Sequence, residues 1–376
     1  MRRLKNAKLN NKSVIVRCDF NVPLDDKGNI TSFKRIDSTK ETIDYLLSKN
    51  CKVILCSHMG RPKGKRDESL SLKCVYEYLK AMYPHKVNFC AFLDETSISN
   101  AKKVITNGNI LLLENLRFDA GEENNSEEFA KILANGVDAF VDEAFATSHR
   151  SCASNDAIKK FLPAYMGFNY EKEIKGLTFK DKPAPILAIL GGAKVSDKIE
   201  LISKMINKVD YIYIGGALAH TFMYAMKYNI NKNIVELDKV NLALKLIDKA
   251  KKHNKKLLFP LDAYALDNDG NKVLRTLNQI KETDVCLDIG EKSIKDIKNL
   301  IAKAKTIFWN GPIGKVSDER FANGTKEVAK CLAQSKAFTI VGGGDTVAEI
   351  EKYNLQDKIS FVSTGGGASL KYIQKG

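Results

Sequence analysis

Along the first half of the chain, short, mostly apolar runs alternate with stretches whose apolar residues recur every three or four positions. The runs at 14–18, 52–56, 87–91, 109–113 and 138–141 predict strands. The periodic stretches near 38–49, 71–82 and 127–134 predict helices. The second half repeats the theme, with strand-like runs at 185–190, 211–214, 257–259, 306–309, 338–341 and 359–362. A helix is expected after Gly191 and Gly192, its apolar face made of Val195, Ile199, Ile202 and Ile206. Strands alternating with helices predict an α/β fold of two doubly wound parallel sheets, Rossmann-like in layout. The pattern breaks between 161 and 185, where prolines flank a short Lys/Glu-rich helix. That stretch reads as an interdomain helix and hinge.

In each half, polar residues gather just after the strand-like runs, the edge at which open α/β sheets bind ligands. In the first half these are Asp19, Asn21, His58, Arg61, Arg117, His149 and Arg150, joined by Arg35 after a turn at 26–29. Any one of these arginines is as readily a solvated or structural residue; their shared position makes the argument. Guanidinium forks match carboxylate and phosphate oxygens, so the pattern points to a small, multiply anionic ligand. In the second half the runs end in glycines, at 191–192, 215–216, 311–314, 342–344 and 365–367. Backbone N–H groups at such turns suit a polyphosphate, and Lys194 and Lys198, one turn apart in the expected helix, can reach it. Asp345 is the carboxylate available to an accompanying Mg²⁺, and the same residue is also placed to be a helix N-cap. The turns match neither P-loop spacing nor the dinucleotide fingerprint, which argues against a dehydrogenase.

At 376 residues the chain is long enough for two domains with cores of their own. Its eight cysteines include no C-x-x-C pair, which fits reduced thiols in a cytoplasm. No apolar run has the length of a membrane span, and the first residues lack the apolar core of a signal peptide. A formal net charge of +15 is open to nucleic acid, a membrane surface or small anions. Lysine is spread along the whole chain without a basic block, so neither a membrane nor a specific nucleic acid is expected as a partner. The expected organisation is an anion-binding domain over 1–165, a hinge over 166–184, a nucleotide-binding domain over 185–365 and a short C-terminal segment over 366–376. Two such domains on a hinge suggest phosphoryl transfer across a closing cleft.

Seven segments carry a resemblance: VRCDFNVPL at 16–24, SHMGRP at 57–62, LLENLRF at 112–118, GGAKVSDK at 191–198, WNGP at 309–312, GGGDT at 342–346 and STGGGA at 363–368. In order and spacing they resemble the phosphoglycerate kinase family along nearly the whole chain. The resemblance implies that 3-phosphoglycerate is held by Asp19, Phe20, Asn21, Arg35, His58, Met59, Gly60, Arg61, Arg117, His149 and Arg150. It implies that the ATP or ADP co-substrate, with Mg²⁺ on Asp345, is held by Gly192, Ala193, Lys194, Lys198, Gly215, Gly290, Asn310, Pro312, Gly343, Gly344, Asp345 and Thr346. Arg35, Lys194, Lys198, Gly366 and Gly367 are the implied catalytic set in a monomeric, cytoplasmic glycolytic enzyme. Several positions depart from the family pattern. Lys315, Val316 and Ser317 stand where it has two apolar or aromatic residues and a ribose-binding Glu, and Ala217 replaces a glycine. Asp142-Glu143 replaces Asn-Asp, Ala146 a Gly and Cys152 a frequent His, and the chain stops before the family's Leu-Pro-Gly tail. Ser317 and the short tail motivate an alternative, a catalytically weak relative kept as a ligand-binding regulatory or scaffold protein.

Overall fold

The apolar runs of the first half become neighbouring strands of one parallel sheet in the computed structural model, which describes residues 1–230 and 234–375. The strands are β1 (Arg2–Arg3), β2 (Ser13–Arg17), β3 (Lys52–Cys56), β4 (Val87–Cys90), β5 (Ile110–Leu113), β6 (Ala139–Asp142) and β7 (Ala164–Met166). They lie in the order β1-β7-β6-β2-β3-β5-β4. Around them run α1 (Lys34–Asp37), α2 (Lys40–Ser48), α3 (Lys73–Met82), α4 (Glu95–Val104), α5 (Ala120–Glu123), α6 (Glu127–Ala134) and α7 (Phe168–Leu177). Successive strand residues feed opposite cores, Val14 and Val16 one, Ile15 the other, because side chains alternate across a strand. Burial on both faces explains why these strands read as continuous apolar runs. The chain order reverses between β2 and β6, the place at which open α/β sheets bind ligands beyond the strands' carboxyl ends.

The second unit has its own six-stranded parallel sheet, made of β8 (Ile186–Leu190), β9 (Tyr211–Ile214), β10 (Lys256–Leu258), and three later strands. Before those come β11 (Asp262–Leu266), β12 (Lys272–Thr276) and β13 (Val285–Ile289), which form a separate antiparallel sheet in the order β12-β11-β13. The parallel sheet is completed by β14 (Thr306–Asn310), β15 (Phe338–Gly342) and β16 (Phe361–Val362), in the order β10-β9-β8-β14-β15-β16. Helices α8 (Ile199–Met205), α9 (Leu218–Ala225), α10 (Val240–Lys252), α11 (Glu291–Lys303), α12 (Asn323–Gln334), α13 (Gly344–Lys352) and α14 (Gly367–Lys375) complete the unit. The order reverses between β8 and β14, and there the backbones nearly touch. A Cβ on Gly191 would lie 2.0 Å from the Pro312 carbonyl oxygen, so only glycine fits.

Compact packing divides the chain into Met1–Lys175 and the residues from Gly176 onward, a division that falls inside α7. Of the segment expected over 366–376, α14 packs on α8 within the second unit, and Gly376 lies outside the described residues. Two expectations need correction. The antiparallel sheet was not anticipated, although its β11–β12 turn carries a plain signal in Asp267-Asn268-Asp269-Gly270. The helix after Gly192 starts only at Ile199, so Val195 precedes it and Lys194 and Lys198 do not share a helical turn. Gly192 has a positive φ of 123°, and the amides of Val195 and Ser196 donate to the carboxylate of Glu236, distant in sequence, instead of entering a helix.

Candidate functional site

In the first unit the predicted residues follow β2, β3, β5 and β6, and the chain ties them to one another. The Phe20 amide donates to Ser57 Oγ at 2.8 Å, which anchors the turn after β2 to the start of the turn after β3. Asn21 Oδ1 accepts the Gly60 N–H at 2.9 Å. Asn115 brackets Met59, accepting its N–H and donating to its carbonyl oxygen. Arg117 donates to the Gly60 carbonyl at 2.6 Å and pairs with Glu123 at 3.2 Å. Arg35 pairs with Asp19. Arg150 Nε lies 3.4 Å from His149 Nε2. Arg61 is exposed and has no hydrogen bond to the rest among the described residues.

His58 lies at the middle of this group and is 4% exposed. Burial, then the positive charges of Arg17, Arg117, Arg150 and Arg35, holds its ring well below the ordinary histidine pKa. Four guanidiniums therefore converge on one neutral imidazole, a field that favours an anion with several negative oxygens. Sequence reasoning missed Arg17. It is 1% exposed, faces Glu122 at 3.7 Å, and donates to Ser154 Oγ at 2.7 Å. Its NH2 lies 3.1 Å from His58 Nδ1. A guanidinium has only donors, so Nδ1 accepts and the ring proton sits on Nε2, leaving an N–H for a ligand. The available signal was a charged residue inside an apolar strand.

In the second unit, α13 begins at Gly344 after Gly343, whose φ of 93° suits only glycine. The first bond of this helix runs from Val347 to the Gly343 carbonyl, so the amides of Gly344, Asp345 and Thr346 have no acceptor within the helix. A Cβ on Gly344 would meet nothing within 4 Å, so the approach to these amides is open. The same openness holds at Gly366 and Gly367, where α14 begins. Lys198 reaches this end of the sheet: its Nζ donates to Asn310 at 2.9 Å (carbonyl oxygen) and 2.6 Å (Oδ1). Burial pushes its ammonium down to about 8, against the pull of Asp197 and Asp345. Thr346, fully buried, accepts the Gly311 N–H at 2.6 Å.

Not every glycine turn offers its N–H groups. Those of Gly192 and Gly215 donate to the carbonyls of Pro312 and Leu190, so both glycines serve the close approach of chain segments rather than a free amide surface. Asn310 is equally engaged, donating to the Gly342 carbonyl while holding Lys198. Gly290 stands apart from the set: it is buried against Asp262, where a Cβ would lie 2.4 Å from Cγ. Lys194 is exposed. Beside the α13 terminus opens a cavity of about 530 Å³, lined by Gly192, Ala193 and Asp345 and by the apolar Met223, Ile230 and Ile313. That volume suits a small-molecule ligand. Ala217, Lys315, Val316 and Ser317 all line it. So does Asp288, whose carboxyl, pushed up to about 6 by burial, accepts the amides of Ile289 and Gly324.

Residues 4–375 match the family model described as phosphoglycerate kinase. The chain belongs to the phosphoglycerate kinase family. It is 42% identical over 377 residues to a phosphoglycerate kinase of Coprothermobacter proteolyticus, covering 100% of this chain and 96% of that protein. It is 43% identical over 379 residues to one from Finegoldia magna, covering 99% and 95%. The solved structure of phosphoglycerate kinase from Coxiella burnetii superposes with a TM-score of 0.91 at 34% identity, covering 100% of this chain and 96% of that one. The one from Pyrococcus horikoshii gives 0.81 at 32%, with the same coverage. As a member of the phosphoglycerate kinase family, the chain is a phosphotransferase with a carboxyl group as acceptor. The alternative of a weak regulatory relative finds no support in these likenesses. Among the described residues no helix is long and apolar enough to cross a membrane.

Proposed function

We propose that this chain catalyses reversible phosphoryl transfer between Mg-ATP and 3-phosphoglycerate, giving ADP and 1,3-bisphosphoglycerate. The observation that carries the reading is the buried Lys198, held by Asn310 and drawn toward Asp345, which lines the cavity where the open amides of α13 begin. The adenosine fills the apolar part, and its phosphates lie over Gly343, Gly344, Asp345 and Thr346 with Lys194 and Lys198. In the first unit, Asp19, Phe20, Asn21, Arg35, Met59, Gly60, Arg61, Arg117, His149 and Arg150 surround 3-phosphoglycerate, with His58 giving an Nε2–H donor.

A carboxylate oxygen of 3-phosphoglycerate attacks the γ-phosphorus as the bond to the β,γ-bridging oxygen breaks. No proton moves and no bond to protein forms, so catalysis consists of alignment and neutralisation of charge. Lys198 and Arg35 face the transferring group, and the amides of Gly366 and Gly367 add neutral donors. Asp345 would hold the Mg²⁺ that accompanies the nucleotide, and that ion would supply charge neutralisation at the phosphate oxygens. Asp345, which lines this cavity, suits such a cation, and no cluster of three or more His, Cys, Asp or Glu able to hold a metal occurs among the described residues. The reading includes closure of the two units to exclude water, a monomer in the cytoplasm, and no nucleic-acid partner. The test is steady-state transfer from Mg-ATP to 3-phosphoglycerate, coupled to reduction of the acyl phosphate. Turnover is expected; absence of turnover with both ligands bound would sink the reading.

A further inference from the structure

The loop from Gly192 to Lys198 carries both lysines and is pinned at its two ends. At the first, Gly192 donates to the Pro312 carbonyl and accepts from the Leu218 amide. At the second, the Lys198 amide returns to the Val195 carbonyl at 2.9 Å and its Nζ is held by Asn310. Between these ends the amides of Val195 and Ser196 both donate to Glu236 Oε2. The Ser196 hydroxyl donates to Glu236 Oε1 at 2.5 Å. Among the described residues those two amides have no other acceptor, and Glu236 has no ion pair. Burial raises the Glu236 pKa, and the three donors of Ser196 and Val195 outweigh it, so the net shift is downward and the carboxylate stays ionised.

Glu236 is itself anchored. Its own amide donates to Thr221 Oγ1 at 3.1 Å, and Thr221 is buried on α9. Ala219, His220 and Met223 of that same helix line the cavity. The carboxylate is thus a strut from the cavity wall to the loop between the two lysines. We propose that Glu236 is a positioning residue for phosphoryl transfer, holding the Val195–Ser196 turn so that Lys194 and Lys198 are presented to the nucleotide phosphates. This rests on the phosphotransferase reading above. Loss of the strut frees the middle of the loop, and a displacement of about an ångström in a charged group can cost up to roughly a hundredfold in rate.

The test compares the wild-type protein with Glu236→Ala, Glu236→Gln and Ser196→Ala, each checked for cooperative unfolding. Hydrogen exchange at the Val195 and Ser196 amides reads the strut directly, independently of turnover. Glu236→Ala is expected to deprotect both amides and lower kcat at least about tenfold. The KM for 3-phosphoglycerate, bound in the other unit, is expected to stay unchanged. Glu236→Gln is expected to recover most of the rate, because its amide oxygen can accept both N–H groups while its NH₂ donates to the Ser196 hydroxyl. Ser196→Ala, which removes only one of the three donors, is expected to fall between. It also carries the test should Glu236→Ala not fold. An active wild type with an equally active Glu236→Ala, or a Gln variant no better than Ala, overturns the inference alone. A wild type that transfers nothing overturns the functional reading and this inference with it.

Discussion

The ligand edge of the first unit is made of side chains, whereas that of the second is made largely of backbone. Around His58 the first unit stacks Arg17, Arg35, Arg117 and Arg150, with Glu122 and Asp19 as counter-charges. Around the start of α13 the second offers open amides, with one buried lysine and one aspartate added. Side chains can be aimed at a small ligand of fixed shape, but each buried charge must be compensated. Backbone amides need no compensation and suit a chain of phosphates, at the cost of glycines that no other residue can replace. The first site should therefore fail through charge and the second through shape.

The largest effect is expected where charge is most deeply buried. Arg17→Met leaves Glu122 uncompensated in the core of the first unit, and breaking such a pair costs about 3–5 kcal/mol. Denaturant unfolding would measure it. A loss below about 1 kcal/mol, the ordinary surface range, would mean that water already compensates Glu122. Next comes Lys198→Ala, for which a drop in kcat of about 10²–10³-fold is expected, with a smaller change in nucleotide affinity. Arg35→Ala should do the same from the first unit. Equal losses in kcat and in affinity would show that these cations merely hold ligands. The pH profile sharpens the point: Lys198 is charged below about 8 and neutral above it. So kcat/KM for nucleotide should decline as pH rises through about 8, while kcat, read with phosphates bound, should hold to higher pH.

A shape test belongs to the second unit. Gly344→Ala has an ordinary φ and open space at its Cβ, so it should leave stability unchanged or raise it by up to about 1 kcal/mol. The same methyl stands where a phosphate would approach the α13 amides, so nucleotide affinity should fall roughly tenfold, about one charged hydrogen bond. Calorimetric titration with Mg-ADP decides it: unchanged affinity would move the phosphates away from α13.

The same contrast explains what could be read before the fold was known. The strands stood out because both faces are buried, and the basic residues stood out because they follow the strands directly. Arg17 did not, since its partners Glu122 and Ser154 are distant in sequence and only the sheet brings them together. The late start of α8 was hidden for a similar reason: periodicity through Val195 was genuine, but the Glu236 carboxylate, distant in sequence and anchored to α9, captures the amides that a helix would use. Short-range pattern showed which residues gather at each edge. Long-range hydrogen bonds decided which of them are free to act, as Asn310 and Gly215 show by being engaged with the protein itself.

The last test is a slope, and it asks whether charge in the first unit is compensated by protonation. Glu143 follows β6, and its Oε1 accepts the Thr42 hydroxyl at 2.9 Å and the Asn169 amide, near the start of α7, at 3.0 Å. Its Oε2 fits so closely that a Cβ on Gly167 would lie 1.6 Å away. Burial pushes the carboxyl up to about 8, against the pull of these donors, whereas an unfolded glutamate titrates near 4.5. Between those values the folded chain holds a proton that the unfolded chain has released, so this group's contribution is full below about 4.5 and is lost as pH rises through about 8. Glu143→Gln keeps an oxygen for both donors and cannot titrate. The melting temperature of the wild type relative to this variant should therefore decline from pH 5 to pH 9. Parallel curves would mean that the carboxylate is ionised at neutral pH, and that even this deeply buried charge finds a partner.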